Sequence, residues 1–207
     1  MGIVRWGIAG SGAISEDFAL GVLASSKASL QAVAARSKKR AEEFARAHGA
    51  KQAYEGYDAL AKDPEVDVVY VGVTNQEHKR VSELFLRRGK GVLCEKPATT
   101  SRSETNELIN ISQRNSAFFM EGVWTRFFPV YSKLRALIAN NELGRITYFS
   151  AAFAPGNELH EESSDEVLSS KRRLWDPKYY GGILLGALCN QENDNRHLDQ
   201  RRCIQLN

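Results

Sequence analysis

The fold class this sequence predicts is a doubly wound parallel α/β sheet. Short apolar runs alternate with helical patterns as far as Gly122, a glycine-rich turn separates the first such pair, and the rhythm changes after Gly122. Taken in order, residues 3–10 (IVRWGIAG) read as a first strand and residues 14–25 as the helix that follows the glycines. Residues 30–36 (LQAVAAR) are a second strand, partly β-branched and apolar almost throughout. A helix over 38–49 has Gly49 at its stop position. Residues 66–73 (VDVVYVGV) are nearly unbroken apolar, as in a strand covered on both faces. A helix over 77–89, a strand over 91–95, a helix over 103–115 and a strand over 117–122 complete the rhythm. Ser101 and Glu104 resemble a capping box for the last helix.

Beyond Gly122 the pattern differs. Pro129 opens a helix expected to stop near Gly144, and residues 145–154 (RITYFSAAFA) alternate like a strand with one packed face. The polar stretch 157–173 reads as a long surface loop. The expected organisation is a domain over 1–122, the start of an incomplete α+β second domain over 123–185, and an unrelated polar tail over 186–207.

The chain has 207 residues, 43% apolar and 26% charged, with a formal charge of +3, which argues for neither nucleic acid nor a membrane surface. The start shows no secretory leader, and Trp6 spoils a myristoylation pattern. No apolar run is long enough to span a bilayer. Cys94, Cys189 and Cys203 have no metal or disulfide spacing, which suits a reducing, cytoplasmic compartment.

The turn GIAGSGAIS places Gly7, Gly10 and Gly12 between the first strand and its helix, with Ser15 at the third position of a G-x-G-x-x-G dinucleotide fingerprint. Gly10 permits the tight turn, Gly12 lets a pyrophosphate approach, and backbone amides at the helix start, at Ala13 and Ile14, hold it. An NAD site carries an acid at the end of the second strand. Here Arg36, Ser37 and Lys38 stand there, which selects the 2′-phosphate of NADP. Lys39 and Arg40 read as a solvated helix start.

Ligands of such sheets lie beyond the carboxyl ends of the strands. Thr74, Asn75 and His78 stand at one such end, and Glu95, Lys96 and Pro97 at another. Lys96, between a strand end and a proline, suits orientation of a substrate hydroxyl and stabilisation of negative charge during hydride transfer. His78 is either a ligand contact or a helix-opening residue satisfied by backbone. Cys94 reads as a small buried residue and not a nucleophile. Glu121, Trp124, Arg126, Phe127 and Phe128 leave the last strand, either walling a pocket or packing a hinge.

The glycine turn, the sequence LCEKP and the sequence EGVWTRFFP together resemble the Gfo/Idh/MocA oxidoreductases over about residues 3–185. The resemblance implies an NADP-binding Rossmann domain and a second domain carrying substrate and homodimer contacts. It implies oxidation of trans-dihydrodiols of aromatic hydrocarbons, or of aldose sugars such as D-xylose. Carried over by position, Lys96 is the active-site lysine, Pro97 a cis-proline, and Trp124, Arg126 and Phe127 line the substrate pocket. In relatives, the segment matching Gly181–Leu185 continues to an Asp and, four residues later, a Tyr that acts as acid/base. Gly186 and Asn190 stand there in this chain. The expectation is therefore a truncated form with impaired turnover. The alternatives are a non-catalytic NADPH-binding module or a non-functional product.

Overall fold

A computed structural model describes residues 2–148 and 150. Its sheet strands are β1 (Val4–Ala9), β2 (Ala28–Ala35), β3 (Gln52–Glu55), β4 (Val68–Val71), β5 (Gly91–Glu95) and β6 (Phe119–Gly122). The helices between them are α1 (Ala13–Leu23), α2 (Lys38–His48), α3 (Tyr57–Lys62), α4 (Asn75–Leu86) and α5 (Arg102–Arg114). All five strand pairs are parallel, in the order β3-β2-β1-β4-β5-β6. The parallel sheet is thus the expected one.

The two-residue period of the strands explains the two cores. Ala9, Ala32, Ala34, Val69, Val71, Val92 and Cys94 face one layer with Leu60, Val81, Phe85 and Leu108. Ile8, Val33 and Tyr70 face the other with Ala19, Val22 and Phe44. Both faces of the central strands are covered, so they read as continuous apolar runs. β3 and α3 did not stand out in the sequence for the converse reason. β3 is a four-residue edge strand, at most half-buried, with no apolar run.

The helix stop at Gly49 is as expected, and the capping box forms in its Ser101 half only. Gly49 ends α2 in the left-handed conformation, with φ 70°. Ser101 Oγ accepts from Glu104 N at 3.3 Å, while the Glu104 carboxylate takes Thr100 N and Thr100 Oγ1 rather than the cap residue.

Two compact units divide between Gly122 and Val123. The second begins with a 3-10 turn, Trp124–Phe127, and α6 (Pro129–Ala139), which stops five residues short of Gly144. Arg145–Tyr148, expected to begin a strand, is not in one, and no strand runs beside it among the described residues. A strand needs a partner for its backbone groups. The loop 157–173, Gly186, Asn190, Cys189 and Cys203 lie outside the described residues. No described helix is long and apolar enough to cross a membrane.

Candidate nucleotide-binding and catalytic site

The strand order reverses at β1, flanked by β2 and β4, and the glycine turn leaves the carboxyl end of that strand. This is the topological switch point where such sheets bind ligands. Gly10 has φ +113°, and its N–H donates to Ala34 O at 2.9 Å. A Cβ on it would stand 2.3 Å from the carbonyl oxygen of Gly72. Gly12 is the N-cap of α1, solvent-exposed, and a Cβ there meets nothing within 4 Å. With no side chain to cap it, the first turn of α1 keeps its amides for an anion. Ala13 and Ile14 are exposed beside it.

Ser15 is fully buried, and its Oγ would be 2.5 Å from a Cβ on Gly72. The third fingerprint position therefore serves close packing of α1 on β4, where a Ser fits. Gly7 differs from the others: it is buried within β1, where a Cβ would press on Leu60 and Val66 at 3.0 Å. Its smallness admits α3 to the sheet and is spent away from the turn.

At the end of β2, Arg36 is exposed and Ser37 is the N-cap of α2. Lys38 is turned aside: its Nζ donates to Ala53 O at 2.7 Å and lies 3.7 Å from Glu42. Thr74 is the N-cap of α4 and Asn75 its first residue.

His78 is 1% exposed, with Nδ1 2.7 Å from Pro97 O and Nε2 3.1 Å from Val73 O. Both ring nitrogens face backbone carbonyls, so the histidine ties the turn after β4 to the turn after β5. Of the two sequence readings, this is the backbone-satisfied one. Burial lowers its pKa below the ordinary imidazole value, and the carbonyls of Pro97 and Val73 restore part of it. A folded-state pKa below the unfolded value of about 6.5 means that the unfolded chain binds the proton better. The His78 contribution is thus whole above about pH 6.5 and is lost as pH falls below it. We expect the melting temperature to fall as pH drops below about 6.5, and His78→Gln to flatten that fall. Equal slopes for the two proteins would refute this assignment.

The strongest cluster lies at the end of β5. Glu95 Oε1 accepts from Tyr70 OH at 2.8 Å, and Oε2 accepts from the Lys96 amide at 3.0 Å. The Tyr70 ring stacks on Phe18 of α1, with centroids 4.0 Å apart. Burial first, and then the Glu95 charge, push the Tyr70 phenol far up, so it stays a donor. Lys96–Pro97 is a cis peptide, as the resemblance implies, and Glu121 Oε1 accepts from Ala98 N at 2.9 Å. Sequence reading missed Tyr70 as the partner of Glu95. Its signal was a phenol inside an otherwise apolar strand, since such a hydroxyl needs a partner.

Cys94 is fully buried beneath this cluster, and burial pushes its thiol up to about 12. Alkylation with iodoacetamide at pH 8 should leave Cys94 unmodified in the native protein and modify it in urea. Peptide mass mapping reads the outcome, and rapid native alkylation would contradict the placement. Trp124, Arg126 and Phe127 belong to the second unit and are exposed there, with Arg126 O accepting from Arg135 Nη2 at 3.2 Å. No metal-holding cluster of His, Cys, Asp and Glu occurs among the described residues.

Similarity to known proteins agrees with this geometry. The chain is 43% identical over 192 residues to trans-1,2-dihydrobenzene-1,2-diol dehydrogenase of Homo sapiens, covering 91% of this chain and 54% of that one. It is 43% identical over 152 residues to the enzyme of that name from Danio rerio, covering 72% of this chain and 46% of that one. It thus spans about half the length of these curated relatives. Among solved structures, a 3-ketoreductase from Actinomadura kijaniata in complex with NADP matches with a TM-score of 0.64 at 28% identity, covering 70% of this chain and 46% of that one. The family profile described as an oxidoreductase family with an NAD-binding Rossmann fold matches residues 4–123. The chain belongs to that family, the Gfo/Idh/MocA oxidoreductases.

Proposed function

We propose that this chain binds NADP and serves hydride transfer between the nicotinamide and a trans-dihydrodiol or an aldose such as D-xylose. The observation that carries the reading is the open glycine turn at the switch point, with Arg36 rather than a carboxylate beyond β2. The names of the relatives support the dihydrodiol, and the NADP complex of the Actinomadura enzyme supports the nucleotide.

NADP, when bound, supplies the hydride acceptor. Gly10, Gly12 and the first amides of α1, at Ala13 and Ile14, hold its pyrophosphate; Arg36, with Ser37, recognises the 2′-phosphate, while the Lys38 ammonium is engaged at Ala53 O. Thr74, Asn75 and Pro97 bound the nucleotide at the β4 and β5 ends, and His78 holds those two turns together. Lys96 orients the substrate hydroxyl and stabilises the charge that develops on its oxygen as hydride leaves. Glu95 fixes the Lys96 backbone through its own bond from Tyr70. Trp124, Arg126 and Phe127 contribute to substrate binding from the domain that begins at 123. A cytoplasmic location belongs to the same reading.

Gly186 and Asn190, at the positions of the Asp and Tyr in the family pattern, favour a second reading: an NADPH-holding module without turnover. An amide cannot take a proton from a hydroxyl at neutral pH. Calorimetric titration with NADPH, followed by assay of NADP reduction with trans-dihydrobenzenediol and with D-xylose, separates the two. Binding with turnover supports the enzyme, and binding alone supports the module. Failure to bind NADPH overturns both.

A further inference from the structure

A second exposed cation, Arg80, stands on α4, which packs against α3. In the parallel register Ala35 pairs with Glu55, and Gly56 N donates to Ala35 O at 2.8 Å. This places Tyr57, the first residue of α3, beside the chain leaving β2 at Arg36. α3 also packs against α4. There Arg80 donates from Nε to Glu77 Oε2 at 2.9 Å, in a pair facing solvent. Tyr57 is the meeting point. Burial raises its hydroxyl pKa, Arg36 and then Arg80 draw it down, and Glu77 raises it. Arg36 and Arg80 thus both bear on Tyr57, one from the chain leaving β2 and the other from α4.

Charge gives the cluster a purpose. A 2′-phosphate carries close to two negative charges at neutral pH. Lys38 is bound to Ala53 O and leans on Glu42, and Lys39 lies 3.9 Å from Glu43. Arg36 makes no hydrogen bond or ion pair among the described residues. One arginine leaves such a group half-neutralised. An exposed Arg–Glu pair within one helix is weak and gives way to a dianion at little cost.

We propose that Arg80 is a second specificity-determining residue, which leaves Glu77 when nucleotide binds and, with Arg36, holds the 2′-phosphate of NADP. This rests on the NADP reading above. Glu77 then acts as a resting counter-ion that keeps Arg80 ordered at the rim and opposes the phosphate until displaced. Tyr57 spaces the two arginines and can donate its hydroxyl to the same phosphate.

The test is titration of the full chain with NADPH and NADH by calorimetry, for the unsubstituted protein, Arg36→Gln, Arg80→Gln and Glu77→Gln. Arg80 is exposed and Glu77 half-buried with its carboxylate toward solvent, so these variants should fold. Arg80→Gln should weaken NADPH about tenfold, the loss of roughly one charge-assisted bond, and leave NADH within about twofold. Glu77→Gln should tighten NADPH about threefold by removing the competitor and its charge. Unchanged NADPH binding in Arg80→Gln overturns the proposal. So does equal weakening of both nucleotides, which would make Arg80 an adenine contact or a structural residue. If the unsubstituted chain binds both nucleotides alike and Arg36→Gln changes neither, the NADP reading fails and this inference with it. A preference that is lost in Arg36→Gln but kept in Arg80→Gln overturns this inference alone.

Discussion

Gly10→Ala should unfold the nucleotide-binding domain well below the melting temperature of the unsubstituted chain, while Gly12→Ala should leave stability nearly unchanged. At Gly10 two costs combine. Its φ of +113° lies where an L side chain is strained, and the added Cβ would stand 2.3 Å from the carbonyl oxygen and 2.8 Å from the carbonyl carbon of Gly72. Neither atom belongs to a movable side chain. The backbone around them is fixed by Gly10 N to Ala34 O and Gly72 N to Ala9 O, both 2.9 Å. Relief requires pulling β1 from β2 or β4, at about 3 kcal/mol or more. At Gly12 φ is −93°, and the Cβ enters empty space. That space is where the pyrophosphate is proposed to lie, so Gly12→Ala should weaken NADPH at least about tenfold with little change in the melt. Thermal melts with calorimetric titration read both variants. A stable Gly10→Ala chain would show that the turn is soft. A Gly12→Ala chain that binds normally would move the pyrophosphate elsewhere.

The same two glycines show what the sequence could carry. Spacing alone located the turn and put Gly10 at its tight bend, because a turn between strand and helix leaves few backbone solutions. Gly7, grouped with them by proximity in sequence, packs instead against Leu60 and Val66 of a layer that adjacency does not reveal. β4 and β5 were legible because burial on both faces writes an unbroken apolar run. β3 and α3 were not, because an edge strand of four half-exposed residues writes no periodicity. Site residues divide the same way. Lys96 stands out by its strand-end context, whereas the Tyr70–Glu95 bond joins positions 25 apart and depends on register, which one sequence does not print. The position of Lys38 was legible, but not the diversion of its ammonium to Ala53 O. That both His78 ring nitrogens face carbonyls from separate turns was likewise not legible.

If the chain turns over as proposed, Lys96→Met should abolish most dihydrodiol or sugar oxidation while sparing NADPH affinity. Met keeps an unbranched, apolar stem of similar length, so the packing of the turn survives and the change isolates the ammonium. Four bonds hold the turn, apart from those of the ammonium itself. Glu95 Oε2 takes the Lys96 amide, Tyr70 holds Glu95, His78 Nδ1 meets Pro97 O, and Glu121 takes Ala98 N. With the backbone fixed four ways, loss of the charge should not let the segment rearrange. On the proposed role, what is lost is a cation beside the oxygen that gains charge as hydride departs, an effect worth about 10²–10³ in rate for one preorganised donor. Because that interaction strengthens only in the transition state, the loss should fall on kcat and leave KM and the NADPH dissociation constant within about threefold. Parallel rate assays and calorimetry on the two chains check it. A kcat unchanged from that of the unsubstituted chain would remove Lys96 from the reaction. A large loss of NADPH binding with kcat preserved would make it a nucleotide ligand instead.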